Sequence, residues 1–389
     1  MQKQPMSLFI GAAVVLVTAA CTSGTAATKA PSTAPPFTSS TLSPNPPQSP
    51  EPAVQRADLL AILASHHAAG EFVGARVAFL DRDGTITQAV AGRQGSGPGS
   101  PRVDLEAPWG IGSITKTHLA VVVLQLAEEG RLDLDAGISG SVPDLAGADL
   151  ITPRDLLQHT FGLNDYTQPV VERQMQRAWT SAELVAVAEE AGRVGRPGGA
   201  YHYANTNYLV LGEIVEQVTG GSWLGAVRER IFAPLGMSES DLIGSDSPGG
   251  YDLEQAGFVE APRDDPSTGG AAGALESTVP DLLRFAAALN NGTLLNAQSQ
   301  AAMRSFVPGE DLSDLGVVHS YGLGLERYEV GALTVLGHLG VSDAHSAFVG
   351  FDPKSGRAVA VQINSTNGGP QALIAVEALM AAAQIHEAD

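Results

Sequence analysis

The sequence is short of cysteine and of lysine. Cys21 is the only cysteine among 389 residues, so no disulfide can form within the chain. Lysine occurs at four positions, and between Lys29 and Lys354 the only one is Lys116. Arginine accounts for the rest of the 22 basic residues, and unlike lysine it does not give up its proton when it is desolvated. The net charge of −20 argues against nucleic-acid partners and against charge-driven binding to anionic membranes.

The N-terminus has the character of an export signal. Lys3 precedes an apolar run, Ser7 to Ala20, that is too short for a comfortable membrane span. The run ends at Cys21 in a pattern that resembles a bacterial lipoprotein signal, in which Cys21 is the lipid-bearing first residue of the mature chain. We therefore expect a signal peptide over residues 1–20 and an exported protein, lipid-anchored to the outer face of the cell membrane. A plain secreted protein is the alternative.

Residues 21–55 are rich in Ser, Thr, Ala and Pro and have little apolar bulk. Such a composition cannot bury enough surface to fold, and it predicts a disordered, extended tether. The folded part is expected to span residues 56–389.

Strand patterns lie near both ends of the folded part, and helical patterns lie between them. Short apolar runs bounded by turn residues predict strands at 75–80, 85–90, 332–336, 345–349 and 358–363. Apolar periodicity predicts helices at 59–69, 113–130 and 371–384. Residues 131–300 are mostly helical in pattern, with a polar, Gly-rich loop at 244–273. The sequence thus predicts an α/β sheet domain completed by both termini, plus a mostly helical insert at about 131–300.

Ser113 and Lys116 open the long apolar helix. Residues three apart are neighbours on a helix face, and a neutral amine beside a serine can accept its proton and activate it as a nucleophile. Lys354, which lies in a predicted turn, shows that isolated lysines also occur here without such a role. The pair by itself is weak, and other parts of a site are needed to support it.

Two further features supply candidate parts. Tyr203 and Asn205 lie about 90 residues after Ser113; a phenol can act as a base or proton shuttle, and an amide offers both a donor and an acceptor. Capping of a helix start is the alternative for both. The third feature is the segment from Gly337 to Val341, which includes His338 and follows a predicted strand. A lone strand histidine is more often structural, and we assign His66, His67 and His159 structural roles because they have no metal-ligand spacing.

In this order and spacing, the three features resemble the serine β-lactamase-like superfamily of DD-peptidases, class C β-lactamases and related serine esterases. The resemblance covers about residues 60–385, and four more segments are similar to family landmarks: 151–163, 231–237, 272–285 and 321–325. It implies an α/β fold with an antiparallel sheet built from both chain ends and flanked by helices. It implies no cofactor and no metal, and we expect a monomer.

The resemblance also implies a role for each matching residue. Ser113 matches the nucleophile, Lys116 the lysine of Ser-x-x-Lys, and Tyr203 with Asn205 the Tyr-x-Asn motif. The expected catalytic residues are Ser113, Lys116 and Tyr203, and the expected substrate-binding residues are Asn205, His338, Gly340 and Val341. The backbone N–H groups of Ser113 and Val341 would form the oxyanion hole, and the Lys116 ammonium is expected to lower the pKa of Tyr203.

Two departures from the family pattern bear on the substrate. His338 stands where most β-lactamases have lysine, and Leu339 stands where a Thr or Ser hydroxyl helps to hold a substrate carboxylate. Both changes weaken the case for a carboxylate-bearing β-lactam or D-Ala-D-Ala terminus. Esterases and some peptidases of the superfamily carry a His-x-Gly triplet, so acyl transfer itself remains the expectation.

The leading hypothesis is a serine hydrolase with an acyl-Ser113 intermediate. Its substrate is either a small ester or amide, or a cell-wall D-amino-acid peptide of peptidoglycan. A weak β-lactamase ranks below these, and a non-catalytic penicillin- or peptidoglycan-binding module is the rival from another class. A Ser–His–Asp α/β-hydrolase is disfavoured because the sequence has no Gly-x-Ser-x-Gly.

If Lys116 takes the proton of Ser113, then Lys116→Arg should impair acylation nearly as much as Lys116→Ala. Arginine keeps the charge but does not release its proton at accessible pH, so both variants should lose about 10²-fold or more. The measurement is the rate of Ser113 labelling by a fluorophosphonate. An Arg variant that labels at the wild-type rate would show that Lys116 acts only as a cation.

Overall fold

The computed structural model describes residues 54–387, except 98, 143, 173–176, 255–256, 263–264 and 367–368. Cys21, the signal peptide predicted over 1–20 and all but the end of the predicted tether lie outside the described residues. In the described ranges, no helix is long and apolar enough to cross a membrane.

The described residues form thirteen strands, most of them in one large sheet. In chain order the strands are β1 (Gly74–Leu80), β2 (Ile86–Gly92), β3 (Trp109–Gly110), β4 (Asp241–Leu242), β5 (Tyr251–Glu254), β6 (Gly257–Glu260), β7 (Leu275–Ser277), β8 (Val307–Pro308), β9 (Val317–Tyr321), β10 (Glu326–Val330), β11 (Leu333–Val341), β12 (Ser346–Phe351) and β13 (Ala358–Ile363). The large sheet has the order β2-β1-β13-β12-β11-β10-β9-β8, and every neighbouring pair is antiparallel.

Strands from the two ends of the folded part pair with each other within this sheet, as expected from the sequence. β1 pairs with β13 in a register that runs from Ala75 opposite Ile363 to Leu80 opposite Ala358. Successive side chains of a strand point to opposite faces. Accordingly, Val359 and Val361 of β13 belong to one apolar cluster, and Ala358 and Ala360 belong to the other. The sheet is therefore buried on both faces.

Twelve helices surround the sheet in the described ranges: α1 (Arg56–Ala68), α2 (Ile114–Glu128), α3 (Pro153–Leu157), α4 (Thr167–Glu172), α5 (Ser181–Glu190), α6 (Thr206–Thr219), α7 (Trp223–Val227), α8 (Ala233–Leu235), α9 (Gly270–Gly273), α10 (Val279–Asn291), α11 (Ala297–Met303) and α12 (Pro370–Glu387). The terminal helices α1 and α12 cover one face of the sheet, and α2 and α10 cover the other. Helix α2 is buried along most of its length, as its apolar sequence predicted, and its first turn reaches the end of β11.

The middle of the chain is less purely helical than predicted. β3, β7 and β4 form a small sheet, and the segment predicted as a loop over 244–273 contains the β5–β6 hairpin and α9. Helix α10 lies within the predicted insert but packs on β1, β12 and β13. It is amphipathic, with Leu282, Phe285 and Leu289 buried, so its apolar face completes the core of the large sheet.

Between residues 307 and 341 the structure contains more strand than the sequence predicted. β9 and β10 were not predicted, because polar residues such as His319, Ser320 and Glu326 interrupt their apolar alternation yet are buried. β11 does not end at residue 336 but continues to Val341. The glycines in this part of β11 weaken the strand pattern, so the continuation was not predicted. Gly340 is needed for packing, since a Cβ there would lie 1.9 Å from the Ile111 carbonyl oxygen.

Gly340→Ala should therefore destabilise the fold by roughly 1–3 kcal/mol, because the backbone of residue 111 would have to move away from β11. Gly221→Ala is the matched control, since its added Cβ has no neighbour closer than 4.0 Å. Urea denaturation of both variants measures the difference. A Gly340→Ala protein as stable as the control would contradict this close packing.

Candidate active site

Ser113 lies at the start of α2, where it is the N-cap residue. The preceding Gly112 has a φ of 50° and lies against the backbone of Val341, so a Cβ there would come within 2.5 Å of the Val341 nitrogen. Both the positive φ and the close approach require glycine. The chain is thus turned so that Ser113 begins the helix directly beside the end of β11.

The Lys116 side chain is fully buried and ends at three oxygen atoms. Its Nζ lies 2.9 Å from Ser113 Oγ, 2.7 Å from Asn205 Oδ1 and 2.7 Å from the Ala272 carbonyl oxygen. The amide oxygen of Asn205 and the carbonyl of Ala272 can only accept hydrogen bonds. They therefore take two hydrogens of the amine whatever its charge.

The contact of Lys116 Nζ with Ser113 Oγ depends on whether the amine is protonated. An ammonium donates its remaining hydrogen to Ser113 Oγ, whereas a neutral amine has a lone pair there and can accept the serine proton. Burial lowers the pKa of Lys116 to about 7, against the opposing effect of the carboxylates of Asp165 and Glu326. The neutral form is therefore well populated near neutral pH, and its lone pair faces the serine hydroxyl.

Tyr203 donates a hydrogen bond from its hydroxyl to Ser113 Oγ, at 2.8 Å. The expectation that the Lys116 charge would lower the pKa of Tyr203 was wrong. Burial raises this pKa well above its usual value, and the bond to Ser113 offsets only part of the effect. Tyr203 is therefore a phenol in the resting site, and its proton points at the nucleophile.

Asn205 is held in one orientation by its neighbours. Its Oδ1 accepts from Lys116, and its Nδ2 donates to Asp165 Oδ2 at 3.0 Å. The same carboxylate oxygen accepts the backbone N–H of Asn205 at 2.6 Å. Sequence reasoning missed Asp165. The available signal was an acidic residue two positions after the 151–163 landmark, outside any motif.

Val341 presents its backbone N–H beside Ser113. The Ser342 N–H donates to the His345 carbonyl at 2.8 Å and closes the turn between β11 and β12. Bonded and non-bonded pairs alternate along an antiparallel ladder, so Val341 and Ser346 form a non-bonded pair and the Val341 N–H points away from β12. Gly112 packs against the backbone of Val341, and Ser113 and Val341 both line the same cleft. The geometry fits the oxyanion hole expected from the sequence.

His338 was predicted to bind substrate directly, but its side chain is fully buried and does not line the cleft. Its Nδ1 donates to the Leu339 carbonyl at 2.6 Å, and its Nε2 accepts from the Tyr321 hydroxyl at 2.9 Å. Burial lowers its pKa to about 3, so it is neutral at pH 7. The structure gives it a supporting position. Gly340 likewise contacts the Ile111 backbone and does not line the cleft.

Leu339 points to the opposite face of the sheet. It belongs to the apolar cluster under α1 and α12, together with Phe348. It is not among the residues that line the cleft, so its apolar side chain does not determine what the cleft can bind.

A group of buried rings supports Tyr203 from behind. The ring of His159 lies 4.3 Å from that of Tyr203 and 4.8 Å from that of Tyr321. His159 Nδ1 accepts the Ala204 N–H at 3.2 Å, which fits the structural role predicted for this histidine. Tyr321 was noted only as part of a landmark, and its contacts with His159 and His338 could not be inferred from spacing.

Ser113, Tyr203, Asn205 and Val341 open onto a cleft of about 630 Å³. The segment 244–273 forms much of its wall, with Asp265, Pro266 and Thr268 among the lining residues. Residues of the loop at 92–102 line a separate cavity of about 590 Å³. In the described residues, no group of three or more His, Cys, Asp or Glu side chains is arranged to hold a metal ion.

Comparisons with known proteins support the family resemblance. Penicillin-binding protein 4 of Amycolatopsis lactamdurans is 28% identical over 333 residues, which cover 79% of this chain and 83% of that protein. A D-aminopeptidase of Cereibacter sphaeroides is 29% identical over 266 residues, and the match covers 65% of this chain and 49% of that protein. This chain therefore spans only about half the length of the D-aminopeptidase.

Solved structures give the same result. The D-amino acid amidase from Ochrobactrum anthropi SV3 superposes with a TM-score of 0.77 at 26% identity, covering 85% of this chain and 99% of that one. The D-stereospecific amidohydrolase from Streptomyces sp. gives 0.72 at 28% identity, with 82% and 97% covered.

The relatives support a serine hydrolase of the DD-peptidase type. Residues 59–384 match the family model described as Beta-lactamase. The chain therefore belongs to the beta-lactamase family, within the serine β-lactamase-like superfamily that the sequence motifs indicated.

Proposed function

We propose that the chain hydrolyses amide or peptide bonds on the carbonyl side of a D-amino acid, through an acyl-Ser113 intermediate. The observation that carries the proposal is the bonding of Lys116, whose lone pair is directed at Ser113 Oγ when the amine is neutral. The names of the relatives, a D-aminopeptidase and a D-amino acid amidase among them, support the choice of a D-amino-acid substrate.

In the acylation step, Ser113 Oγ attacks the substrate carbonyl carbon and passes its proton to Lys116 Nζ, 2.9 Å away. The carbonyl oxygen becomes an oxyanion, which the N–H groups of Ser113 and Val341 stabilise. Loss of one such donor costs roughly 3–4 kcal/mol in a well-studied hydrolase. The new ammonium keeps its bonds to Asn205 and Ala272 throughout.

Collapse of the tetrahedral intermediate needs a proton for the leaving nitrogen. Tyr203 holds one, because burial keeps it a phenol and its hydroxyl lies at the nucleophile. It donates that proton to the departing amine, and the proton held by Lys116 restores the phenol. Water then attacks the acyl-enzyme and gives up a proton by the reverse route, which frees Ser113 and the acid product.

The charges around the cleft favour a substrate without a carboxylate near the scissile bond. Arg177 is the only arginine or lysine among the described residues that line the cleft, and its guanidinium is bonded to Glu183 and to the Ala178 carbonyl. His338 is neutral and buried. These features rank an amide above a β-lactam or a free D-Ala-D-Ala terminus. Leu339, in place of a carboxylate-binding hydroxyl, favoured an ester substrate in the sequence. Because Leu339 packs away from the cleft, this support for the ester alternative is lost.

Purified protein covering residues 54–389 should hydrolyse the p-nitroanilide of a D-amino acid at least about ten-fold faster, in kcat/KM, than that of its L-enantiomer. Release of p-nitroaniline is the measurement, and Ser113→Ala, which lacks the nucleophile, should fall to background. Equal rates for both enantiomers, or faster hydrolysis of a chromogenic β-lactam, would contradict the assignment. Binding of all these compounds without turnover would indicate the non-catalytic alternative.

The pH dependence of acylation should follow Lys116. Because only the neutral amine accepts the serine proton, the labelling rate by a fluorophosphonate should rise through a pKa of about 7 and level off above it. Asn205→Asp puts a carboxylate on the ammonium and should move this limb up by about one unit or more. Asp165→Asn removes a charge that raises the Lys116 pKa and should move the limb down. Shifts in the same direction for both variants would exclude Lys116 as the titrating group.

A further inference from the structure

Glu326 is a buried carboxylate that lies outside the cleft. It is the first residue of β10 and stands opposite Gly337, where the pairing of β10 with β11 stops. Its side chain reaches beyond this last pair, and its Oε2 accepts the backbone N–H of Leu339 at 2.7 Å. The Glu326 carboxylate thus accepts the N–H of β11 that the backbone of β10 would accept if the pairing of the two strands continued.

This bond lies on the same edge of β11 as the Val341 N–H. Alternate residues of a strand direct their N–H groups to the same side, so the N–H groups of Leu339 and Val341 both point away from β12. Glu326 fixes the first of them, and the second lies beyond the end of β10, in the residue against which Gly112 packs. The orientation of the expected oxyanion donor therefore depends on a strand end that Glu326 ties down.

The carboxylate is itself held in place by its surroundings. The Tyr328 hydroxyl donates to Oε2 at 2.6 Å, and His338 Nδ1 lies 3.7 Å from the same oxygen. His319 accepts the Glu310 N–H on Nδ1, so its proton is on Nε2, which lies 3.9 Å from Oε1. These contacts leave the carboxylate little freedom to move away from Leu339.

We propose that Glu326 is a positioning residue for the oxyanion hole, acting through the Leu339 N–H on the direction of the Val341 N–H. The inference rests on the acyl-Ser113 chemistry proposed above, though not on the identity of the acyl group. A misplacement of about 1 Å in such a donor can cost roughly 100-fold in rate. The role is thus measurable in catalysis even though Glu326 does not line the cleft.

Two substitutions separate the hydrogen bond of Glu326 from its charge. Glu326→Gln loses the charge and keeps an oxygen at the right distance from Leu339. Glu326→Asp keeps the charge but is one methylene too short to reach the N–H. We expect kcat for p-nitrophenyl acetate to fall roughly 10–100-fold in the Asp variant with KM within about two-fold. The Gln variant should stay within about five-fold of the wild type.

The thiono analogue of the ester identifies the oxyanion hole as the point of action. Sulfur accepts hydrogen bonds weakly, so the wild type gains less from the hole and the Asp variant should lose less than about five-fold on this substrate. Tyr328→Phe removes the other donor to Oε2 but leaves the bond from the Leu339 N–H to Glu326, so its loss of kcat on the oxygen ester should be smaller than that of the Asp variant.

Other outcomes overturn the proposal. A loss in the Gln variant without a loss in the Asp variant would show that the charge acts on Lys116 instead. Equal losses in both variants, or equal losses on both esters, would indicate a purely structural role, and no loss in either would leave Glu326 without any role. Turnover of p-nitrophenyl acetate that depends on Ser113 keeps this test valid even if D-amino-acid amides are not substrates.

Discussion

The organisation of this protein depends on one buried amine and the three oxygens that surround it. Lys116 is fully buried, and its Nζ contacts Ser113, Asn205 and Ala272. These residues come from α2, from the start of α6 and from α9, three elements that pack on one another. Two of the oxygens can only accept, so the helical part of the fold must hold them rigidly for the third contact to be a proton-transfer pair.

Opposing electrostatic effects determine how that amine behaves. Burial lowers the pKa of Lys116, whereas Asp165 and Glu326 counteract the shift, and the balance is a pKa of about 7. Without the carboxylates the amine would be neutral over a wider pH range and would hold a proton less well after acylation. The pKa of Tyr203 is raised mainly by burial and further by charges such as those of Glu326 and Asp165, so Tyr203 keeps its proton near neutral pH.

The sheet contributes a second set of constraints through its backbone. Gly112 and Gly340 let the start of α2 and the end of β11 approach more closely than any side chain would permit. The approach places Gly112, the residue before Ser113, against the backbone of Val341, while the buried His338 and Tyr321 are hydrogen-bonded to each other. Residues that do not line the cleft therefore support its walls. His338 is one of them, since it matches a substrate-binding motif but is completely buried.

The Ser113–Lys116 pair and the most apolar elements could be predicted from the amino-acid sequence. Ser113 and Lys116 lie within one helix turn, and β1, β13 and the largely apolar α2 are predicted by their apolar patterns, because these signals depend only on near neighbours. The sequence did not reveal β9 and β10, whose polar residues, Glu326 among them, are buried because partners distant in sequence satisfy them. Nor did it reveal Asp165, whose partner Asn205 is 40 residues away. It also misjudged Tyr203 and His338, since a pKa and an exposure follow from burial. The burial of each group and its exposure to the cleft depend on segments that are distant in sequence, so only the tertiary structure shows them.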